Sequence, residues 1–190
     1  KNYYDSIFAP LSGSPEYNLH ADDIDFQIEA DYIGFMCPGM PQTASAIADK
    51  IGRIMNYGDG VYGGIFVAAL YSEAYFESDI MLILEKALKS IPSESDYFKI
   101  IKDVIKLHQQ YPADWKTSWK ELEDKWGDVD ICGDGAGTAF NIDAKLNGAY
   151  IVMGLLYGEG DPVKTLEITT RCGQDSDCNP SNALAVLGVI

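Results

Sequence analysis

Apolar side chains recur at helical spacing along most of this chain, and this spacing constrains the fold more than any other feature of the sequence. One stripe places apolar residues at i, i+4, i+8 and i+11, on one face of a helix: Ile24, Ile28, Tyr32 and Phe35. No segment shows the apolar–polar alternation of a half-buried strand or a tight hairpin turn. Roughly nine helical segments with short breaks therefore predict an all-α, multi-helix bundle.

Turn formers and helix caps divide this pattern into separate helices. We expect a first helix from near Asp22 to Phe35, closed by Cys37-Pro38-Gly39, and a second from Pro41 to about Asn56. The glycine-rich stretch 56–64 predicts a loop. Further helices are predicted at roughly 65–75, 79–90, 95–111, 112–126, 143–157, 162–170 and 182–190.

Length and charge limit the class of protein. The 190 residues predict one domain with a real core, and because the chain begins without Met and stops inside a helical pattern, we expect it to be a fragment of a longer catalytic domain. The formal net charge of -15 argues against partners such as a nucleic-acid duplex or an anionic membrane. No apolar run approaches the roughly 20 residues of a membrane span. The compartment stays open between the cytoplasm and a bacterial cell envelope.

Two carboxylates lie two residues apart in the short stretch between the last two predicted helices. Asp175 and Asp177 precede a helix N-terminus, where an aspartate is a preferred cap. Carboxylate oxygens are also the ligands that hard divalent cations prefer. Spacing alone therefore leaves helix capping and cation binding as alternatives.

Acidic residues also cluster at the start of the first predicted helix. Asp22, Asp25 and Glu29 fall at i, i+3 and i+7, so a continuous helix would place them on one face. Such a face is either solvated or turned into a polar cleft.

Several motifs, taken in order, resemble one family. They are His20-Ala21-Asp22-Asp23-Ile24-Asp25, Asn56-Tyr57-Gly58-Asp59-Gly60 with Tyr62-Gly63-Gly64, Phe140-Asn141-Ile142-Asp143-Ala144, and Gly173-Gln174-Asp175-Ser176-Asp177-Cys178-Asn179. This set resembles a bacterial branch of the ADP-ribosylglycohydrolases, the family that includes the dinitrogenase reductase-activating glycohydrolase. The resemblance runs through most of the chain.

The resemblance implies a compact orthogonal helical bundle that hydrolyses the bond between ADP-ribose and an acceptor, usually with two Mg²⁺ ions. The substrate would be an ADP-ribosylated protein or a small ADP-ribosyl or ribosyl compound. Metal ligands would be Asp175, Asp177 and Cys178, and catalytic carboxylates Asp22, Asp23 and Asp177. Substrate-binding residues would be Asp25, Tyr57, Gly58, Gly60, Gly173 and Asn141.

Two departures from the family pattern matter. Cys178 stands where the family has a Ser or Thr hydroxyl, and a thiol is a poor ligand for Mg²⁺. The family's upstream Ser/Thr-Asp-Asp cluster normally precedes the motifs seen here, so Asp22 and Asp23 match a later segment that lines the substrate cleft. We therefore expect half of the metal site to lie outside this chain. An alternative function is a non-catalytic ADP-ribose-binding module with the same fold.

Overall fold

The computed structural model describes residues 2–129 and 142–190. Within these ranges the regular structure is helical, apart from one isolated bridge between Asp23 and Asp143. A short 3-10 turn at Leu11–Gly13 precedes the α-helices. These are α1 (Asp25–Glu29), α2 (Asp31–Met36), α3 (Pro41–Gly52), α4 (Asp59–Ala74), α5 (Ile80–Leu88), α6 (Asp96–Gln110), α7 (Trp115–Trp126), α8 (Ala144–Gly158), α9 (Pro162–Cys172) and α10 (Cys178–Val189). The prediction of an all-α fold is confirmed.

Two helices form the centre of the bundle. Every residue of α8 is buried, and so are nearly all residues of α4. A helix that is apolar around its whole circumference must be covered on all sides. Accordingly, α1, α2, α3 and α5 pack on α4, whereas α6, α9 and α10 pack on α8. The N-terminal ends of α4 and α8 are therefore fixed by the surrounding helices.

The predicted continuous helix from Asp22 to Phe35 is wrong at two places. The helix begins only at Asp25, and a break at Ala30 separates α1 from α2. Residues before Asp25 pair instead with the segment that enters α8: Ile24 N–H donates to the Ile142 carbonyl at 3.0 Å, and Ala144 N–H donates to the Asp22 carbonyl at 3.0 Å. The predicted shared acidic face is therefore wrong, because Asp22 is buried and Asp25 is exposed.

The glycine-rich stretch predicted as a loop is mostly helix, since α4 begins at Asp59. Tertiary packing overrides the low helix propensity of glycine here. A Cβ at Gly63 would lie 2.5 Å from Oε1 of Gln27, and one at Gly64 would overlap the ring of Phe26. The missing side chains let α1 lie directly against α4, so these glycines are required by packing.

Of the two C-terminal helices, α9 starts at its predicted cap and α10 does not. Asp161 accepts hydrogen bonds from Val163 N–H and Lys164 N–H at the start of α9, as its position before Pro162 predicts. Helix α10 starts at Cys178, four residues earlier than predicted. Among the described residues, no helix is both long and apolar enough to cross a membrane.

Candidate metal loop and acidic cleft

The link between α9 and α10 turns sharply because two consecutive residues adopt positive φ. Gly173 has φ 99° and Gln174 has φ 50°. Glycine adopts such conformations without steric cost, whereas a glutamine needs support from its surroundings. That support is a hydrogen bond of 2.6 Å from Nδ2 of Asn147, on α8, to Oε1 of Gln174. The turn thus places Asp175 and Asp177 directly before α10.

The two acids of this link have different surroundings. Oδ1 of Asp175 accepts from the backbone N–H of Cys178 at 3.1 Å, which satisfies a free donor at the start of α10. Asp177 occupies the N-cap position, yet its side chain makes no capping hydrogen bond and the residue is exposed. Helix capping therefore accounts for Asp175 but leaves Asp177 unexplained.

Asp175, Asp177 and Cys178 form a compact group of possible metal ligands. One ligand atom from each residue lies within 4.8 Å of the other two. Partial burial, followed by the neighbouring carboxyl of Asp177, raises the pKa of Asp175. Burial and a hydrogen bond to Asp175 raise the pKa of the Cys178 thiol to about 11. A divalent cation would relieve the repulsion between the neighbouring carboxylates of Asp175 and Asp177, so this group of ligands fits a cation.

Asn147 connects this group to the start of α8. Its Nδ2 donates to the Asp143 carbonyl at 2.8 Å as well as to Gln174, and its Oδ1 accepts from Asp175 N–H at 3.2 Å. The same oxygen accepts from Nδ2 of Asn179 at 2.7 Å. A buried amide with all of its hydrogen bonds made holds its partners in one arrangement. The acidic link is therefore fixed relative to Asp143.

A second buried amide fixes the turn that carries Asp22 and Asp23. Nδ2 of Asn56 donates to the carbonyls of Ala21 and Asp23 at 3.1 and 3.0 Å, and its Oδ1 accepts from Phe26 N–H at 3.0 Å. Gly60 lies against this turn, because a Cβ there would be 2.6 Å from the Ala21 carbonyl oxygen. The turn is thus tied to the N-terminal end of α4.

Buried charges meet where this turn faces α8. Nζ of Lys145 lies 2.5 Å from Oδ2 of Asp143 and 3.6 Å from Oδ2 of Asp22, and all three side chains are at most 5% exposed. Oδ1 of Asp22 also accepts from Gly60 N–H at 3.2 Å. A lysine buried in this way is paired with carboxylates because an isolated charge would be too costly. Lys145 therefore joins Asp22 of the turn to Asp143 at the start of α8.

An open cavity of about 300 Å³ lies at this charged cluster. Asp59, in its wall, accepts from Tyr97 N–H at 3.2 Å, and burial raises its pKa. Gly58 has φ 52° and ψ -127°, a conformation that favours glycine. The lining residues are Asp22, Tyr57, Gly58, Asp59, Tyr62, Glu94, Ser95, Asp96, Val129 and Lys145.

The structure brings together only some of the residues proposed from the sequence. Asp22, Tyr57 and Gly58 share the cavity. Asp23 is buried beside it, with Oδ2 at 2.7 Å from Nδ1 of His20. Asp25 is exposed at the start of α1 and is not part of the cavity wall. Asn141 lies outside the described residues.

Four residues that organise the site had no role predicted from the sequence: Asn56 and Asn179, which stand in the family motifs, and Lys145 and Asn147, which do not. Each is buried, which is unusual for a lysine or an asparagine. For Asn147 the sequence did offer a signal: it follows Asp143 by four residues, so the two residues lie on the same side of the predicted helix. The roles of the other three depend on contacts between distant segments.

Comparison with known proteins gives one match. The family model described as ADP-ribosylglycohydrolase matches residues 9–190, which includes both the acidic turn and the link before α10. Neither the curated proteins nor the solved structures contain a match.

Proposed function

Because this chain belongs to the ADP-ribosylglycohydrolase family of hydrolytic enzymes, we propose that it cleaves the glycosidic bond between ADP-ribose and an acceptor with the help of a divalent cation. A glycohydrolase role on ADP-ribosyl substrates follows from the family. We propose in addition that the reaction depends on a metal, which residues hold the metal and the substrate, and which class of acceptor is released. The acceptor is an ADP-ribosylated protein side chain or a small ribosyl compound.

One observation carries this proposal: a compact group of metal ligands is tied by one buried amide to a charged cavity. Asp175, Asp177 and Cys178 lie within reach of one cation. Asn147 fixes that group to the start of α8, whose Lys145 lines the cavity together with Asp22. Packing alone does not require carboxylates in both places.

Asp175 and Asp177 are the residues that would hold the cation, with Cys178 beside them. Mg²⁺ is the ion that the family resemblance implies, and oxygen ligands suit it. When bound, the cation supplies a positive charge that polarises a ribose hydroxyl or a water molecule. Asp177 is exposed and free of helix capping, so it can contact substrate as well.

Asp22 is the carboxylate best placed to act on the ribosyl group within the cavity. Gly60 N–H and Lys145 hold it in one orientation. An ionised carboxylate beside the sugar stabilises an oxocarbenium-like transition state or accepts a proton from water. Asp23 is paired with His20, and this contact supports the turn that carries Asp22.

The cavity wall also offers groups for substrate binding. The Tyr57 ring is 48% exposed and can stack on a base or a sugar. At Gly58 the missing side chain lets a substrate approach the backbone closely. Gly60 positions Asp22 and Gly173 shapes the acidic link, while Asp25 is exposed at the start of α1 and would contact substrate from outside the cavity wall.

The test is release of free ADP-ribose from protein ADP-ribosylated on arginine or serine, with Mg²⁺, Mn²⁺ or Zn²⁺ and with EDTA. We expect release that EDTA abolishes. Asp22→Asn and Asp177→Asn should each lower the rate at least about 100-fold, the scale typical of a lost acid–base or charge-stabilising group. Asp124→Asn, on the exposed face of α7, is the matched control and should leave the rate unchanged.

Two outcomes would contradict the proposal. Release that is insensitive to EDTA would exclude the metal dependence. Calorimetry that detects ADP-ribose binding with no release under any cation would support the non-catalytic binding module instead.

A further inference from the structure

The third ligand of the acidic link is a sulfur atom. Cys178 is the first residue of α10, and its backbone N–H donates to Oδ1 of Asp175 at 3.1 Å. Its sulfur lies within 4.8 Å of carboxylate oxygens from both Asp175 and Asp177. It is half-buried, whereas Cys37 and Cys172 are buried elsewhere in the core. Cys178 is therefore the described cysteine that a cation in this link would meet.

The geometry suits a cation with short bonds to oxygen and sulfur. Zn²⁺ binds carboxylate oxygen at about 2.0–2.2 Å and thiolate sulfur at about 2.3 Å in a tetrahedral arrangement, which places its ligand atoms about 3.4–3.6 Å apart. The three ligand atoms lie within 4.8 Å of one another, so side-chain rotations must bring them together by up to about 1.4 Å. Three protein ligands with one open position is also the usual arrangement of a catalytic zinc.

Ligand chemistry separates the possible cations more sharply than distance does. Mg²⁺ demands oxygen ligands in near-octahedral geometry, and a sulfur atom occupies space without binding it well. Borderline cations such as Zn²⁺ and Co²⁺ accept a thiolate together with carboxylates. Two aspartates and one cysteine therefore favour a borderline cation such as Zn²⁺ or Co²⁺ over Mg²⁺.

A neighbouring amide provides independent support for a ligand here. Asn179, directly after Cys178, is fully buried, and among the described residues nothing donates a hydrogen bond to its Oδ1. Its Nδ2 belongs to the Asn147 network that holds Asp175 N–H. Buried acceptors are normally satisfied, and the hydration shell of a cation is one source of donors.

We propose that Cys178 coordinates the divalent cation of this link and that the site therefore prefers Zn²⁺-like cations to Mg²⁺. This inference rests on the proposed function, because it concerns the same metal site. On binding, the S–H bond of Cys178 breaks, a sulfur–metal bond forms, and one proton passes to the buffer for each cation.

Cobalt provides the most direct test, since Co²⁺ bound to a thiolate gives a near-ultraviolet charge-transfer band. We expect this band when Co²⁺ is added to the full chain, and its loss on addition of Zn²⁺ but not of equimolar Mg²⁺. Cys178→Ser should remove the band and weaken Zn²⁺ binding, measured by calorimetry, at least about tenfold, a loss typical of a disturbed metal site. Cys37→Ser, at a described cysteine that is buried outside the link, is the matched control and should retain the band.

X-ray absorption of the zinc-loaded wild-type chain checks the same point without a variant. We expect one sulfur neighbour at about 2.3 Å. An oxygen-only shell, or Co²⁺ binding without the band, would overturn the role of Cys178. If the chain releases ADP-ribose with Mg²⁺ and Cys178→Ser does so equally, the proposed function stands and this inference fails.

Discussion

Asp175 and Asp177 have different surroundings, so replacing each of them should affect stability differently even though both are proposed to bind the cation. Asp175 satisfies an N–H at the start of α10, whereas Asp177 makes no such bond. Asp175→Ala should therefore lower the free energy of unfolding by about 0.5–2 kcal/mol, the usual cost of a lost helix cap. Asp177→Ala should change it by less than about 0.5 kcal/mol. Both variants should lose cation binding in calorimetry. Urea unfolding in EDTA measures the stability part, and severe unfolding of Asp177→Ala would contradict the assignment.

Lys145 illustrates the cost of burying charge beside the cavity. Its ammonium group lies among the carboxylates of Asp143 and Asp22, with the side chain 3% exposed. Lys145→Met would leave these acids without their cation and should lower the free energy of unfolding by about 3–5 kcal/mol. Lys120→Met, which removes an exposed pair with Asp124, should cost less than about 0.5 kcal/mol. Equal stability of the two variants would mean that Lys145 does not hold the cluster together.

At the scale of helices, small residues let α8 and α9 approach closely. A Cβ at Gly154 would overlap the hydroxyl of Thr169, and one at Gly158 would overlap that of Thr165, one turn away on each helix. The two glycines thus set the distance between α9 and the buried helix that carries Asn147. Changes in this contact should be transmitted to the acidic link.

Gly154→Ala should lower the free energy of unfolding by about 1–3 kcal/mol, since an extra methyl group must displace a packed side chain. Gly188→Ala is the matched control, because nothing lies near its missing Cβ. That control should be neutral or stabilise the protein by up to about 1 kcal/mol through helix propensity. Thermal unfolding of the pair measures both effects, and stabilisation by Gly154→Ala would show that the contact is looser than described.

The helices differ in how far the sequence could predict them. Helices α5 to α9 carry a local cap, such as Asp79 or Asp161, together with a sustained apolar period, and they were predicted nearly in full. Helix α4 was predicted too short because its first glycines fit only against α1. The start of α1 was predicted too early because residues 22–24 pair with the segment before α8. These errors share one cause: distant contacts outweighed local propensity.

Some residues of the candidate site could likewise be predicted from local sequence, whereas others depend on contacts between distant segments. The acids at 175 and 177 were predicted because two carboxylates in a short link are unusual by themselves. Asn147 was not, because an asparagine inside a helix shows its role only when the link packs against that helix. Lys145 was missed for a similar reason, since its partner Asp22 is distant in the sequence.

At the scale of the whole molecule, the excess of acids determines how stability depends on pH. Burial raises the pKa of Asp59 and of Glu123 above their ordinary values. Each of these two carboxyls therefore binds a proton more readily in the folded protein than in the unfolded chain, and its contribution to stability falls as pH rises above about pH 4. Burial lowers the pKa of His108, whose contribution has the opposite sign and grows as pH rises towards its ordinary pKa of 6.5. Hydrogen bonds from backbone N–H groups lower the pKa of the exposed Asp161, which reverses the trend below about pH 4.

Because Asp59 and Glu123 are both more buried than His108, we expect the two carboxyls to outweigh the histidine and the free energy of unfolding in EDTA to be higher at pH 5 than at pH 8, as measured by urea unfolding. Asp59→Asn should make this dependence shallower, because the amide oxygen can still accept from Tyr97 N–H without carrying a charge. Stability that increases steadily from pH 5 to pH 8 in the wild-type protein would contradict this account.

Anomalous diffraction from crystals soaked in Mn²⁺, Co²⁺ or Zn²⁺ will show whether the link between α9 and α10 holds the cation proposed for catalysis. We predict a strong anomalous peak between the carboxylates of Asp175 and Asp177 and beside the sulfur of Cys178. The peak should be absent in Asp177→Ala crystals of the same form. Peaks only at other acidic residues, or no peak near the link at saturating cation, would contradict cation binding by this link.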